Sequence, residues 1–284
     1  MRVRTLVFLF ALVSVALAID SHPPTVPETV VIPSGKLQLK GFLWKPNGPG
    51  PFPAVLFNHG SGGADADHTA GFRITEAAEK LAPLFLKHGY AFLYLFRRGQ
   101  GLSADQGPFI QDILRQEEVA KGKEARQHLQ FVLATTDHLD DVMAALSFLK
   151  TAPAIDAKRI AIVGHSFGGQ LTLLASERDN NVRAAVTFAA AAGSWERSVE
   201  LRERLRAAAD QTTAPIMLIQ TANDYSTAPS QELADELERL HKPHLLKIYP
   251  AVGQTPDDGH NFLYLAIPQW ERDAFGFLDE HVKR

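Results

Sequence analysis

A doubly wound α/β fold, with a mainly parallel sheet and helices on both faces, is what this sequence of 284 residues predicts. Three observations carry that expectation. Strand-like apolar runs alternate along the chain with stretches of helical period, as βαβ units do. Some of the runs, such as Ala54-Val55-Leu56-Phe57, are apolar at every position and so belong to strands covered on both faces. Hydrophobic residues make up 45% of the chain and charged residues 21%, so one domain can bury a large core.

Taken in order, Arg2 and Arg4 precede an apolar run from Leu6 to Leu17, and Ala16-Leu17-Ala18 has the small-x-small form of a cleavage site. Residues 1–18 are therefore expected to be a signal peptide cut after Ala18, which places the mature protein outside the cytoplasm, secreted or periplasmic, without stable membrane insertion. The run falls short of the ~20 apolar residues that a membrane span needs. Residues 19–29, with Ser21-His22-Pro23-Pro24, read as an extended tether, which leaves 30–284 as one folded domain. Leu37 to Trp44 alternates in polarity, as an exposed edge strand would, and Asn47-Gly48-Pro49-Gly50 makes a turn before the buried strand at 54–57.

The pattern then predicts a helix over Ile74 to His88, a strand over Ala91 to Phe96, a helix over Asp137 to Lys150 and a strand over Arg159 to Val163. A helix from Phe167 to Ser176 and the strand Val182 to Phe188 follow. The series ends with the strand Ile216 to Gln220, the helix Ser230 to His241, the strand Leu245 to Tyr249 and a terminal helix over Pro268 to Val282. Two charged insertions interrupt it. Residues 101–135 hold a helical segment from Gln116 to Gln130, and residues 194–210 hold a second charged helix. Both read as solvated faces, and both follow strand C-termini, where open α/β sheets bind ligands, so they are also the candidates for a rim or partial lid.

The 29 basic and 32 acidic residues give a net charge of −3, with no basic field to attract phosphate backbones, and nucleic acid is not an expected partner. The absence of cysteine rules out a thiol nucleophile and a cysteine-ligated metal.

Chemistry concentrates in Gly164-His165-Ser166-Phe167-Gly168-Gly169, between a buried strand and a helix. A serine hydroxyl is a weak nucleophile and has to be presented on a tight strand-to-helix turn where a base can reach it. Gly164 and Gly168 let strand and helix pass closely. In this context the sequence resembles the α/β-hydrolase superfamily, and within it the dienelactone-hydrolase-like and prolyl-oligopeptidase-like esterases and peptidases, from about Val30 onward.

The resemblance implies a chain order of nucleophile, acid, then histidine. It places the acid at Asp224, after the strand Ile216 to Gln220, and the base at His260, after the next strand. Asp257 and Asp258 lie nearer to His260 in sequence, but at that offset they suit local loop turns. His59, His165, His241 and His244 fit structural or surface roles. The backbone amide of Phe167, next to the nucleophile and at the positive end of its helix, is one oxyanion donor. The second is expected from Asn58-His59-Gly60-Ser61-Gly62-Gly63, at the amide of Ser61 with Gly60 next. No lysine follows this loop at the spacing of a phosphate cradle. His59, Asp65, Asp67 and His68 cluster in sequence without a metal-ligand spacing. Arg97-Arg98-Gly99 resembles a motif that is more often structural than catalytic.

Two departures narrow the reading. Dienelactone hydrolases proper use a cysteine where this chain has Ser166, so a lactone substrate is not implied. The few residues ahead of the first strand cannot make the propeller of prolyl oligopeptidases. The expected activity is a carboxylic-ester hydrolase acting on a small-molecule ester through an acyl-enzyme, without metal or organic cofactor. A peptidase or amidase on the same fold is the nearest alternative, and a non-catalytic binding protein on this scaffold is the other.

Overall fold

A computed structural model describes residues 26–284. The expected signal peptide and most of the expected tether lie outside the described residues. The chain forms β1 (Glu28–Ser34), β2 (Leu37–Trp44), β3 (Phe52–Asn58), a small hairpin of β4 (His68–Thr69) and β5 (Phe72–Arg73), α1 (Ile74–Lys87) and β6 (Ala91–Phe96). A 3-10 turn at Gly101–Gln106 leads to α2 (Ile110–Lys121), α3 (Lys123–Thr135), α4 (Asp137–Thr151), β7 (Ile155–His165), α5 (Phe167–Arg178) and β8 (Val182–Phe188). The remainder is α6 (Val199–Gln211), β9 (Ile216–Thr221), α7 (Ala228–Arg239), β10 (His244–Tyr249), α8 (Pro256–His260), α9 (Phe262–Leu265) and α10 (Ile267–Val282).

Eight strands make one sheet in the order β1-β2-β6-β3-β7-β8-β9-β10. The β1, β2 and β6 pairings are antiparallel, and from β6 onward every neighbour runs parallel. Side chains alternate across such a sheet, so a strand with two covered faces must be apolar throughout. β3 shows this directly: Ala54 and Leu56 enter one core with α4, α5, α6 and α7, while Val55 and Phe57 enter the other with α1 and α10. The doubly wound sheet expected from the sequence is therefore the observed architecture. No helix among the described residues is long and apolar enough to cross a membrane.

Three details differ from expectation. Leu37 to Trp44 is not an edge strand: β2 pairs with β1 on one side and β6 on the other. The edge is β1, which starts at Glu28 and so takes in the last two residues of the expected tether. The charged helical segment of the first insertion is two helices, α2 and α3, broken at Gly122, whose φ of 91° lies outside the helical range.

The sheet gathers four loops at one edge. β3, β7, β9 and β10 are parallel, so their C-terminal ends lie together, and the loops carrying Ser61, Ser166, Asp224 and His260 all leave from that edge.

Candidate active site

β7 ends at His165 and α5 begins at Phe167, so Ser166 alone makes the turn, with φ 55° and ψ −119°. Such a backbone is strained for a residue with a Cβ. It is held by the Ser166 amide donating to Phe188 O at 2.8 Å and by glycines where nothing larger fits. A Cβ at Gly164 would lie 2.2 Å from Gly168 O, and one at Gly168 would lie 2.0 Å from Asn58 O. The strand, the helix and the loop after β3 are thus in backbone contact around the serine.

Ser166 Oγ lies 2.8 Å from His260 Nε2, and His260 Nδ1 lies 2.8 Å from Asp224 Oδ1. A carboxylate only accepts, so Nδ1 carries the imidazole proton and Nε2 is free to accept from the serine hydroxyl. The structure brings together these three residues, 94 and 36 positions apart in sequence. The Asp224 side chain is fully buried. It also accepts from Gln220 Nε2 at 3.1 Å and from the Tyr225 amide at 2.7 Å, so both oxygens are satisfied and its ring-facing orientation is fixed.

The acid and base loops are tied to each other as well. Asn223 donates to Val252 O at 2.8 Å and Thr255 O at 2.9 Å, and accepts from the Val252 amide at 2.9 Å. Thr221 Oγ1 donates to Gly259 O at 3.0 Å. His165 Nε2 donates to the His260 carbonyl at 2.8 Å, which fixes the backbone of the base from the nucleophile side. Gln220, Asn223 and Thr221 were not singled out from the sequence. The one signal they offered was polar character at the end of an apolar strand.

The competing carboxylates are engaged elsewhere. Asp258 accepts from the Gln254 amide at 2.9 Å, the Thr255 amide at 3.0 Å and Thr255 Oγ1 at 2.8 Å, capping α8. These donors, the Gln254 amide first, hold its carboxyl below the usual range. Asp257 is hydrogen-bonded by the Tyr225 hydroxyl, and the Tyr225 ring lies 4.8 Å from that of His260 at the cavity rim.

Ser61 and Phe167 line the cavity, and the backbone amide of neither donates to another group among the described residues. Ser61 Oγ accepts from Gln111 Nε2 at 2.8 Å. The cavity above Ser166 has a volume of about 360 Å³. Both insertions wall it: Gln111, Arg126 and Gln130 from α2 and α3, and Ser194 and Arg197 from the loop before α6. Arg126 pairs with Glu118 at 3.1 Å, whereas Arg197 has no acidic partner among the described residues.

The residues considered for a metal are not gathered. His68 pairs with Asp65 at 2.7 Å on the surface, while His59 is buried, its Nδ1 donating to Gly60 O at 2.7 Å. Among the described residues no three His, Cys, Asp or Glu side chains are grouped to hold a metal ion.

Beneath the site His59, His138 and His165 are buried. Burial, and secondarily the nearby Arg97 charge, holds the first two well below the ordinary imidazole pKa. Burial, followed by the neighbouring His260, pushes His165 down to about 3. An unfolded chain protonates these rings near pH 6.5, whereas the folded chain does not until far lower pH. Their contribution to stability is therefore present in full above the unfolded imidazole pKa and falls as the pH drops through about 6.5, by on the order of 1–2 kcal/mol for each histidine down to pH 5. Carboxylates stay ionised in both states over most of that window. Calorimetric melting from pH 7.5 to 5 should show the loss, and His138→Gln should remove one ring's share; a flat profile would mean that the rings are not buried neutral.

The match to known proteins is broad. Residues 39–263 match the dienelactone hydrolase family. The chain belongs to that family. The match spans all four loops described above and makes the protein a member of a hydrolase family. Among curated relatives, the quorum-quenching protein AidA of Acinetobacter baumannii is 27% identical over 167 residues, 59% of this chain and 45% of that protein. The chain spans about half the length of the curated relatives it matches. Among solved structures, the acylaminoacyl peptidase of Pyrococcus horikoshii superposes with a TM-score of 0.66 at 19% identity, over 94% of this chain and 43% of that one. The dienelactone hydrolase of Anabaena variabilis superposes with a TM-score of 0.61 at 20% identity, over 90% of this chain and 99% of that one. These likenesses show the α/β-hydrolase fold.

Proposed function

We propose that this member of the dienelactone hydrolase family is a serine esterase that cleaves small, polar carboxylic esters through an acyl-enzyme. The observation that carries the reading is the unbroken hydrogen-bonded series Asp224, His260, Ser166 at the floor of a polar cavity. Ser166 Oγ attacks the ester carbonyl as His260 Nε2 takes its proton, and the imidazolium that forms is stabilised by Asp224. The amides of Ser61 and Phe167 receive the oxyanion, and His260 returns the proton to the leaving alkoxide. Water repeats the sequence on the acyl-enzyme and releases the acid. No step requires a metal or an organic cofactor.

The cavity wall bears on the substrate. Gln111, Gln130, Gln170, Ser194 and the two arginines offer hydrogen bonds and positive charge, and a long alkyl chain would desolvate them without replacement. In a p-nitrophenyl ester series, kcat/KM is expected to fall by about tenfold or more from acetate to octanoate. The negatively charged hemisuccinate should exceed the neutral butyrate, an advantage lost at high salt because Arg197 is exposed. Anilide counterparts run beside the esters test the amidase alternative. Preference for long neutral acyl chains would overturn the polar-ester reading, and faster anilide cleavage would favour a peptidase.

The reading extends to location and domain structure. Arg2, Arg4, the apolar run Leu6 to Leu17 and Ala16-Leu17-Ala18 support export with cleavage after Ala18, and a single catalytic domain over 30–284. N-terminal sequencing of the mature protein tests the export: a new terminus at Ile19 is expected, and a retained Met1 would refute it.

A further inference from the structure

Arg97, at the end of β6, lies directly beneath the loop after β3 and its side chain is fully buried. Its guanidinium has no carboxylate partner among the described residues. The nearby carboxylates of Asp137 and Asp141 are both taken by the adjacent Arg98, at 3.0 Å and 2.7 Å. Burying an unpaired cation is costly, so what it touches should account for its presence.

Arg97 Nη1 donates to His59 O at 2.8 Å and Nη2 donates to Gly60 O at 2.7 Å. A longer contact of 3.4 Å joins Nη2 to Gln100 Oε1. The guanidinium also sits over the ring of Phe167, 5.5 Å from its centroid. One side chain thus reaches the glycine loop and the residue after the nucleophile together. Burial pulls its pKa down to about 10, opposed by the Asp141 charge, which leaves it a cation at neutral pH.

The two carbonyls belong to the peptide units whose amides are those of Gly60 and Ser61. Both peptides are trans, and in a trans peptide C=O and N–H point in opposite directions across one plane. A cation fixed on the inner carbonyls therefore turns both N–H groups outward, to the side where the loop meets the nucleophile. A Cβ at Gly60 would lie 3.5 Å from the Cβ of Ser166. A charge-assisted bond at the carbonyl end also polarises the unit and strengthens its N–H as a donor.

We infer that Arg97 is the positioning residue of the oxyanion site, orienting and polarising the Ser61 and Gly60 amides through their carbonyls while bracing Phe167, which bears the opposite donor. It touches neither the substrate nor the reacting atoms. The assignment rests on the serine-esterase reading above.

The test compares an ester with its thionoester in Arg97→Gln and Arg97→Lys, with rates expressed per site titrated by a fluorophosphonate. Sulfur is larger and a weaker acceptor than oxygen, so a preformed pair of amide donors discriminates against the thionoester, and a merely structural residue leaves that ratio alone. Arg97→Gln is expected to lower kcat for the ester by about 10²–10³ with KM within about twofold, and to collapse the ester-to-thionoester ratio by at least tenfold. Arg97→Lys keeps the charge but not the fork that holds two carbonyls, and should fall between. Arg98→Lys is the control: it should lower the melting temperature and leave the ratio intact. An unchanged ratio in Arg97→Gln, or failure of both Arg97 variants to give titratable protein, would overturn the assignment. Failure of the esterase reading looks different: the wild-type protein would take no fluorophosphonate label and cleave neither substrate.

Discussion

Ser166→Ala is expected to lower kcat by about 10⁴–10⁶, and His260→Ala by a similar factor, because each removes one half of a single proton-transfer event. Without Oγ there is no nucleophile at the end of the strained turn. Without Nε2 the hydroxyl 2.8 Å away keeps its proton. The informative measurement is the double variant, which should be little slower than either single one. Losses that multiply instead would mean that the two side chains act in separate steps, and the proposed mechanism would fail. Circular dichroism should be unchanged in Ser166→Ala, since the alanine keeps the backbone contact to Phe188.

Asp224→Asn is the second large effect, on the order of 10³–10⁴ in kcat with both reacting groups still present. The reason lies in proton placement. Asp224 Oδ1 accepts from His260 Nδ1, and an asparagine can offer an N–H there, favouring the tautomer with the proton on Nε2, where it blocks the serine. Asp257→Asn and Asp258→Asn are the comparisons. Asp257 is bound to the Tyr225 hydroxyl and Asp258 caps α8, so the first should alter KM more than kcat. The second should mainly cost about 1 kcal/mol of stability. If either slowed the reaction more than Asp224→Asn, the acid would have been misplaced.

How much of this could be read from the sequence depended on how local the physics is. The turn at Ser166 was legible because its steric demands fall on immediate neighbours, Gly164 and Gly168, and because apolar strand and helical helix-start flank it. The parallel core strands were legible for a similar reason: β3 and β6 are apolar at almost every position because both faces are covered. β2 was misjudged as an edge because alternation reports which faces are covered, not whether both backbone edges are paired. β1 was partly assigned to the tether since a proline, Pro33, and exposed Thr29 and Val31 dilute its pattern. The break between α2 and α3 has its one signal in Gly122, which the charged residues of helical period on either side obscure.

The parts of the site that escaped sequence reading are those made by distant backbone groups. Arg97 and Arg98 read alike as a structural motif, because nothing in the order of residues distinguishes a guanidinium that meets carboxylates from one that meets carbonyls of a loop 37 positions away. Asn223 is similar: its value lies in Val252 and Thr255, which reach it only because β9 and β10 are neighbours. The two insertions were read as solvated faces or rim, and the cavity wall they form depends on where α3 and the loop before α6 pack.

The spacing of the site along the chain bears on when its three side chains can meet. During synthesis Ser166 emerges 94 residues ahead of His260, and Asp224 emerges 36 residues ahead of it. A nascent or truncated chain ending anywhere between carries a nucleophile with nothing to deprotonate it. The imidazole can stand beside the serine only where β10 lies next to β9 and α8 packs against Asn223, so the site is complete only when the C-terminal part of the sheet is.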